Sequence, residues 1–181
     1  MIFRYAVVGE HFGARSRKMD MEQTHPATGS IWIRVSILVG VGLFLLALGV
    51  SAAIIPRLRL LHILQALLYV AVLILTRRSS PWGLGAGTII AIAWNILNLF
   101  ITHLFQAGAG QLWALLHTGH VTDSVTLMVT IGGIGHFILI IACIAGFLEQ
   151  RPTAKNWAPF FGGGFLALAY MALIIATTAP R

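Results

Sequence analysis

Charge is scarce in this chain. Asp and Glu number five and Lys and Arg twelve in 181 residues, so only 9% of positions are charged, while 58% are hydrophobic. A water-soluble domain carries about 25% charged residues. A chain this poor in charge cannot cover a water-facing surface, which excludes a soluble globular protein. Cysteine is nearly absent too. Cys143 stands alone within an apolar run, so no intrachain disulfide can form and the residue is expected to be a small buried apolar one.

The excess of base over acid, +7 with a pI near 10.8, does not point to nucleic acid. A nucleic-acid module clusters Lys and Arg on one face to neutralise phosphates. Here they stand singly or in pairs beside apolar runs, the pattern of membrane flanks. Catalytic signatures are missing as well: there is no G-x-S-x-G, no H-E-x-x-H and no phosphate loop. No Asp, Glu, Lys or Arg lies deep in an apolar stretch, which argues against ion-coupled pumps and transporters. Nor is there an internal repeat, and five spans do not divide into two equal inverted halves.

What is present is a series of charge-free stretches: 35–56, 60–76, 79–122, 124–148 and 156–180. A helix needs roughly 20 apolar residues to cross a bilayer core. The expected architecture is therefore an all-α, multi-pass transmembrane helical bundle over 31–181, with spans near 31–55, 58–76, 81–105, 124–148 and 157–178. The long third stretch breaks up at Ala107-Gly108-Ala109-Gly110, and Leu112–Leu116 is too short to cross. It is expected to form an interfacial helix over 111–117 outside the hydrocarbon, with Trp113 at headgroup level. Ser30 and Pro56 are expected to bound span one, Ser80 and Pro81 to open span three, Asp123 to cap span four, and Asn156 to open span five. Residues 1–30 are polar. They are expected to be a disordered tail or an over-long gene start, Met19 and Met21 being later starts, with an amphipathic anchor over Met1–Val8 as the alternative.

Orientation follows from Lys and Arg. With the N-terminus inside, the inner side holds Arg4, Arg15, Arg17, Lys18, Arg34, Arg77, Arg78, Arg151 and Lys155, against Arg57, Arg59 and Arg181 outside, nine to three. Even without the first 30 residues the ratio is five to three. The expected location is a plasma or bacterial inner membrane, with the C-terminus outside.

Periodicity locates the polar groups. Thr88, Ala91, Asn95, Asn98 and Thr102 share one face of span three, and His62, Gln65, Tyr69 and Thr76 one face of span two. Gly132, His136 and Cys143 share a face of span four. Lipid cannot satisfy an amide or an imidazole, so these stripes are expected to face one another. Gln65, Tyr69, Asn95, Asn98 and His136 form the expected intramembrane polar cluster, serving chiefly as hydrogen-bonding glue and alternatively as a cavity for a ligand. At the outer end His62 and His103 lie at similar depth beneath His117 and His120. These four are the candidate metal ligands, with Asp123 and Gln106 as nearby supporting groups. A haem held by His62 and His136 would meet a depth mismatch of about 12 Å. His62 with His103 matches depth better but places the haem at the surface.

The function class this supports is a structural, accessory or small-solute-handling membrane protein without catalytic residues. The alternatives are a metal- or haem-binding redox protein using the outer histidines, and a channel or carrier for a neutral solute. No cofactor is named by the sequence. The expected partners are bilayer lipid and, among proteins, a second copy or another membrane subunit.

Overall fold

The computed structural model describes residues 28–178, with side-chain surroundings from Ile31 onward. The expectations placed on the polar N-terminal segment lie outside the described residues. The chain is an all-α bundle of six helices, with no strand among the described residues. They are α1 (Thr28–Ile54), α2 (Arg59–Arg77), α3 (Pro81–Ile96), α4 (Leu104–Thr118), α5 (Ser124–Glu149) and α6 (Ala154–Thr178). All except α4 are long and apolar enough to cross a membrane, α3 with the help of a π-helical extension, Leu97–Ile101. The protein is thus a multi-pass membrane protein.

The helix ends have local causes. Pro56 cannot continue α1 and begins a short 3-10 turn, Pro56–Leu58, that leads into α2. Pro81 occupies the first turn of α3, where its missing N–H costs nothing. The Asp123 carboxylate accepts hydrogen bonds from the Val125 and Thr126 N–H groups, at 3.0 and 3.2 Å, and so caps α5. Two starts differ from expectation. Ser30 lies inside α1, two residues past its start. Asn156 lies inside α6, and its side-chain carbonyl oxygen accepts from the Thr153 N–H (3.0 Å) and hydroxyl (2.7 Å), fixing a start of the helix two residues earlier.

α5 is the axis of the bundle, packed against α1, α3 and α4, while α6 lies mainly on α3 and α2 bridges α1 and α3. Without a solvent-driven hydrophobic term, membrane helices associate where small residues let backbones touch. A Cβ on Gly40 would lie 2.7 Å from the Gly135 carbonyl oxygen, and one on Gly135 equally close to that of Gly40, so α1 and α5 meet backbone to backbone. Gly163 of the Gly162–Gly164 run does the same for α6 against the Trp82 backbone of α3.

The largest departure from expectation is the 97–118 segment. α3 does not run regularly to residue 105. The Asn98 amide donates to the Trp94 carbonyl (2.9 Å) and the Thr102 hydroxyl to that of Leu97 (3.3 Å), competing with the backbone ladder where it widens into the π segment. His103 then adopts a left-handed conformation (φ 55°), which breaks the helix and offsets α4 from α3. The helix expected over 111–117 begins at Leu104, because Ala107–Gly110 does not break it: Gly108 instead lets α4 sit against the Thr126 backbone of α5. The Thr130 hydroxyl donates to the Phe105 carbonyl (2.9 Å), and the Gln111 side-chain carbonyl accepts from the Thr122 N–H (3.0 Å), the Thr122 hydroxyl (3.0 Å) and the Asp123 N–H (3.2 Å). α4 therefore runs antiparallel along the first part of α5, from the level of Gly133 to that of Asp123, about 15 Å of helix.

Candidate functional site

The most enclosed polar group is His136, fully buried near the middle of α5. Its Nε2 shares a 2.6 Å hydrogen bond with the hydroxyl of Tyr69, a buried residue of α2. The Phe44 ring of α1 lies 4.1 Å from the imidazole, centre to centre, and 4.3 Å from the Tyr69 ring. Trp94 of α3 stands edge-on to the imidazole at 4.8 Å. Four helices thus each contribute one ring to a single aromatic knot. Among the described residues His136 Nδ1 has no hydrogen-bond partner. An unsatisfied buried polar atom is uncommon in a native fold and stands out here.

On one side of this knot a cleft of about 100 Å³ opens between α1, α2, α3 and α5. Phe44 and Trp94 line it, together with Ala47, Leu48, Met128 and Val129. Its polar lining is Ser51 from α1 and His62 and Gln65 from α2, and the His62 Nδ1 is buried without a hydrogen-bond partner among the described residues. Ser51 lies three residues before the end of α1 and His62 three after the start of α2, so the cleft sits about 5 Å, one helical turn, below those ends. Its volume is that of about three waters at liquid density, or of one small organic molecule.

All five members of the expected intramembrane cluster are buried. Gln65 reaches the cleft, and Tyr69 and His136 form the knot beside it. The two asparagines do not line the cleft. Asn95 approaches Gly133 of α5, with neither its amide nitrogen nor its oxygen hydrogen-bonded among the described residues. Asn98 is engaged within the π segment by the Trp94 carbonyl and the Thr102 hydroxyl.

The four histidines considered for a metal have separate surroundings. His62 lines the cleft, and exposed His103 occupies the left-handed break between α3 and α4. His117 stacks on Trp113 at 3.7 Å, its Nδ1 2.9 Å from that residue's carbonyl oxygen, and His120 is exposed in the α4–α5 connection. Among the described residues no three His, Cys, Asp or Glu side chains gather in a way that could hold a metal ion. The supporting groups considered with them are engaged elsewhere. Asp123 caps α5, and the Gln106 amide donates to the Leu99 carbonyl at 2.5 Å. At His136 the Nε2 is taken by the Tyr69 hydroxyl, and the rings of Phe44, Tyr69 and Trp94 lie 4.1, 5.4 and 4.8 Å from the imidazole.

Sequence reasoning missed Phe44 and Trp94. The available signal was a Trp in mid-span, away from the interface where Trp usually concentrates. Compared with known proteins, the chain matches no family model, no curated protein and no solved structure. The geometry of the knot and cleft alone carries the functional reading.

Proposed function

We propose that this protein is a membrane-embedded, non-enzymatic unit that takes a small neutral, hydrogen-bonding molecule into the cleft bounded by α1, α2, α3 and α5. The observation that carries the reading is the Nδ1 of His62, without a partner among the described residues, in a cleft that also presents Ser51 and Gln65. Binding sites are concave, largely apolar and furnished with a few convergent polar groups, as this one is. A charged ligand is disfavoured because, among the described residues, no Asp, Glu, Lys or Arg lines the cleft. A pore open from end to end is disfavoured because the knot and the buried Leu139, Cys143 and Phe147 beyond it fill the bundle interior. The balance of Lys and Arg supports a plasma or bacterial inner membrane with the cleft opening outward.

Cysteine labelling tests both parts. In a Cys143→Ala background, Ser51→Cys should react with a membrane-impermeant thiol reagent added outside, and urea or glycerol should slow the reaction. Leu115→Cys should label from the same side and Thr153→Cys only after permeabilisation. An inert Ser51→Cys would mean a dry cleft and a purely packing role for its polar groups. Labelling of Thr153→Cys from outside, with Leu115→Cys protected, would reverse the orientation.

A further inference from the structure

At the opposite end of the same helix pair lies a cleft of about 370 Å³ that the functional reading does not use. It is bounded by α1 and α2 near the start of one and the end of the other. Its rim carries the guanidinium groups of Arg34 and Arg77, one from each helix, and its wall is Val35, Leu38 and Leu73. Thr76 also lines it, but its hydroxyl donates to the Leu73 carbonyl at 3.1 Å. Among the described residues no acidic side chain lines this cleft. Glu149 lies in a smaller neighbouring cavity that also touches Arg34.

We propose that this cleft is a seat for one anionic phospholipid, its phosphate held between Arg34 and Arg77 and the upper part of an acyl chain lying on Leu38 and Leu73. Two cations from adjacent helices over an apolar wall match the two chemistries of such a lipid in order of depth. A free hydrated phosphate would find the guanidinium groups but gain nothing from the wall, and a neutral apolar molecule would gain nothing from the rim. Basic pockets between membrane helices recognise anionic head groups in this way, and guanidinium is suited to phosphate by its planar pair of donors. Both side chains are exposed and so accessible to a lipid approaching from the bilayer.

Native mass spectrometry of the full chain in neutral detergent decides it. With phosphatidylglycerol and phosphatidylcholine supplied together, one phosphatidylglycerol should be retained per protein. Its affinity should fall about fivefold in Arg34→Gln or Arg77→Gln and about thirtyfold in the double variant. Arg78→Gln, at the same end but not lining the cleft, should bind like wild type. Because the readout is lipid per folded protein ion, a loss of yield in a variant does not mimic the result. Equal retention of phosphatidylcholine, or an equal loss in Arg78→Gln, would overturn the proposal. So would displacement of phosphatidylglycerol by inorganic phosphate, which would make the rim a free-anion site.

Discussion

α5 and α2 both cross the membrane, yet they are held in the bundle by different means. Half of the α5 span is buried against 17% of the α2 span. The buried face of α5 includes Gly132, Gly133, Gly135 and Gly146: Gly135 meets the α1 backbone at Gly40, and the other three make room for the side chains of Phe44, Phe105 and Ile33. The buried face of α2 is Gln65, Tyr69, Val72 and Thr76, mostly polar, while Leu60, Ile63, Leu67, Val70 and Ile74 point outward. One helix is held by close approach along its length. The other is held by a few side chains, Tyr69 above all. In a bilayer the outward Leu and Ile lose nothing by staying exposed, so the polar side is the one worth burying.

The contrast is broken most severely at the α1–α5 contact. Gly135→Leu puts a branched side chain where 2.7 Å is available to its first carbon, and the obstructing atom is backbone that cannot rotate away. The expected loss is about 4 kcal/mol or more, within the range reserved for overpacked or broken cores. It is measured as unfolding in mixed detergent micelles. A variant as stable as wild type would show that the two helices are not in backbone contact.

A smaller effect is expected at the link between the two helices. Tyr69→Phe and His136→Ala each remove one side of the 2.6 Å hydrogen bond, and His136→Ala also empties space inside the knot. Tyr69→Phe should cost about 1 kcal/mol and His136→Ala about 2–4 kcal/mol. The double-mutant cycle should return a coupling of about 0.6–1.7 kcal/mol. Additive losses would mean that the pair touches without stabilising.

The smallest effect is expected on the outward face of α2. Ile63 is 58% exposed, and Ile63→Ala should change stability by no more than about 0.5 kcal/mol. A loss comparable to that of His136→Ala would mean that this face is covered by protein rather than lipid.

The spans were legible because hydrocarbon excludes charge: five charge-free stretches became five long helices. The inward direction of Gln65, Tyr69, Asn95, Asn98 and His136 was legible from helical spacing and from the cost of exposing amides and imidazole to lipid. The 97–118 segment was not. A local reading takes Ala107–Gly110 as a break, because glycine weakens an isolated helix. Its role depends on Thr126 lying opposite Gly108, a contact across a chain reversal that no local pattern announces. The metal expectation relied on depth, and depth constrains one coordinate only. His62 and His117 can share a level and still face different neighbours.

By itself the sequence determined which segments enter the membrane, which faces turn inward and which end carries the cations, because each follows from solvation of single residues along a helix. Which of the inward groups meet was decided by the tertiary structure alone. That Tyr69 finds His136, that Phe44 and Trp94 close around them, and that His62, Ser51 and Gln65 share a cleft all depend on rotation and axial offset between helices. Those offsets are set by backbone contacts such as Gly40 on Gly135, where packing between distant segments, not the preference of any one segment, selects the geometry.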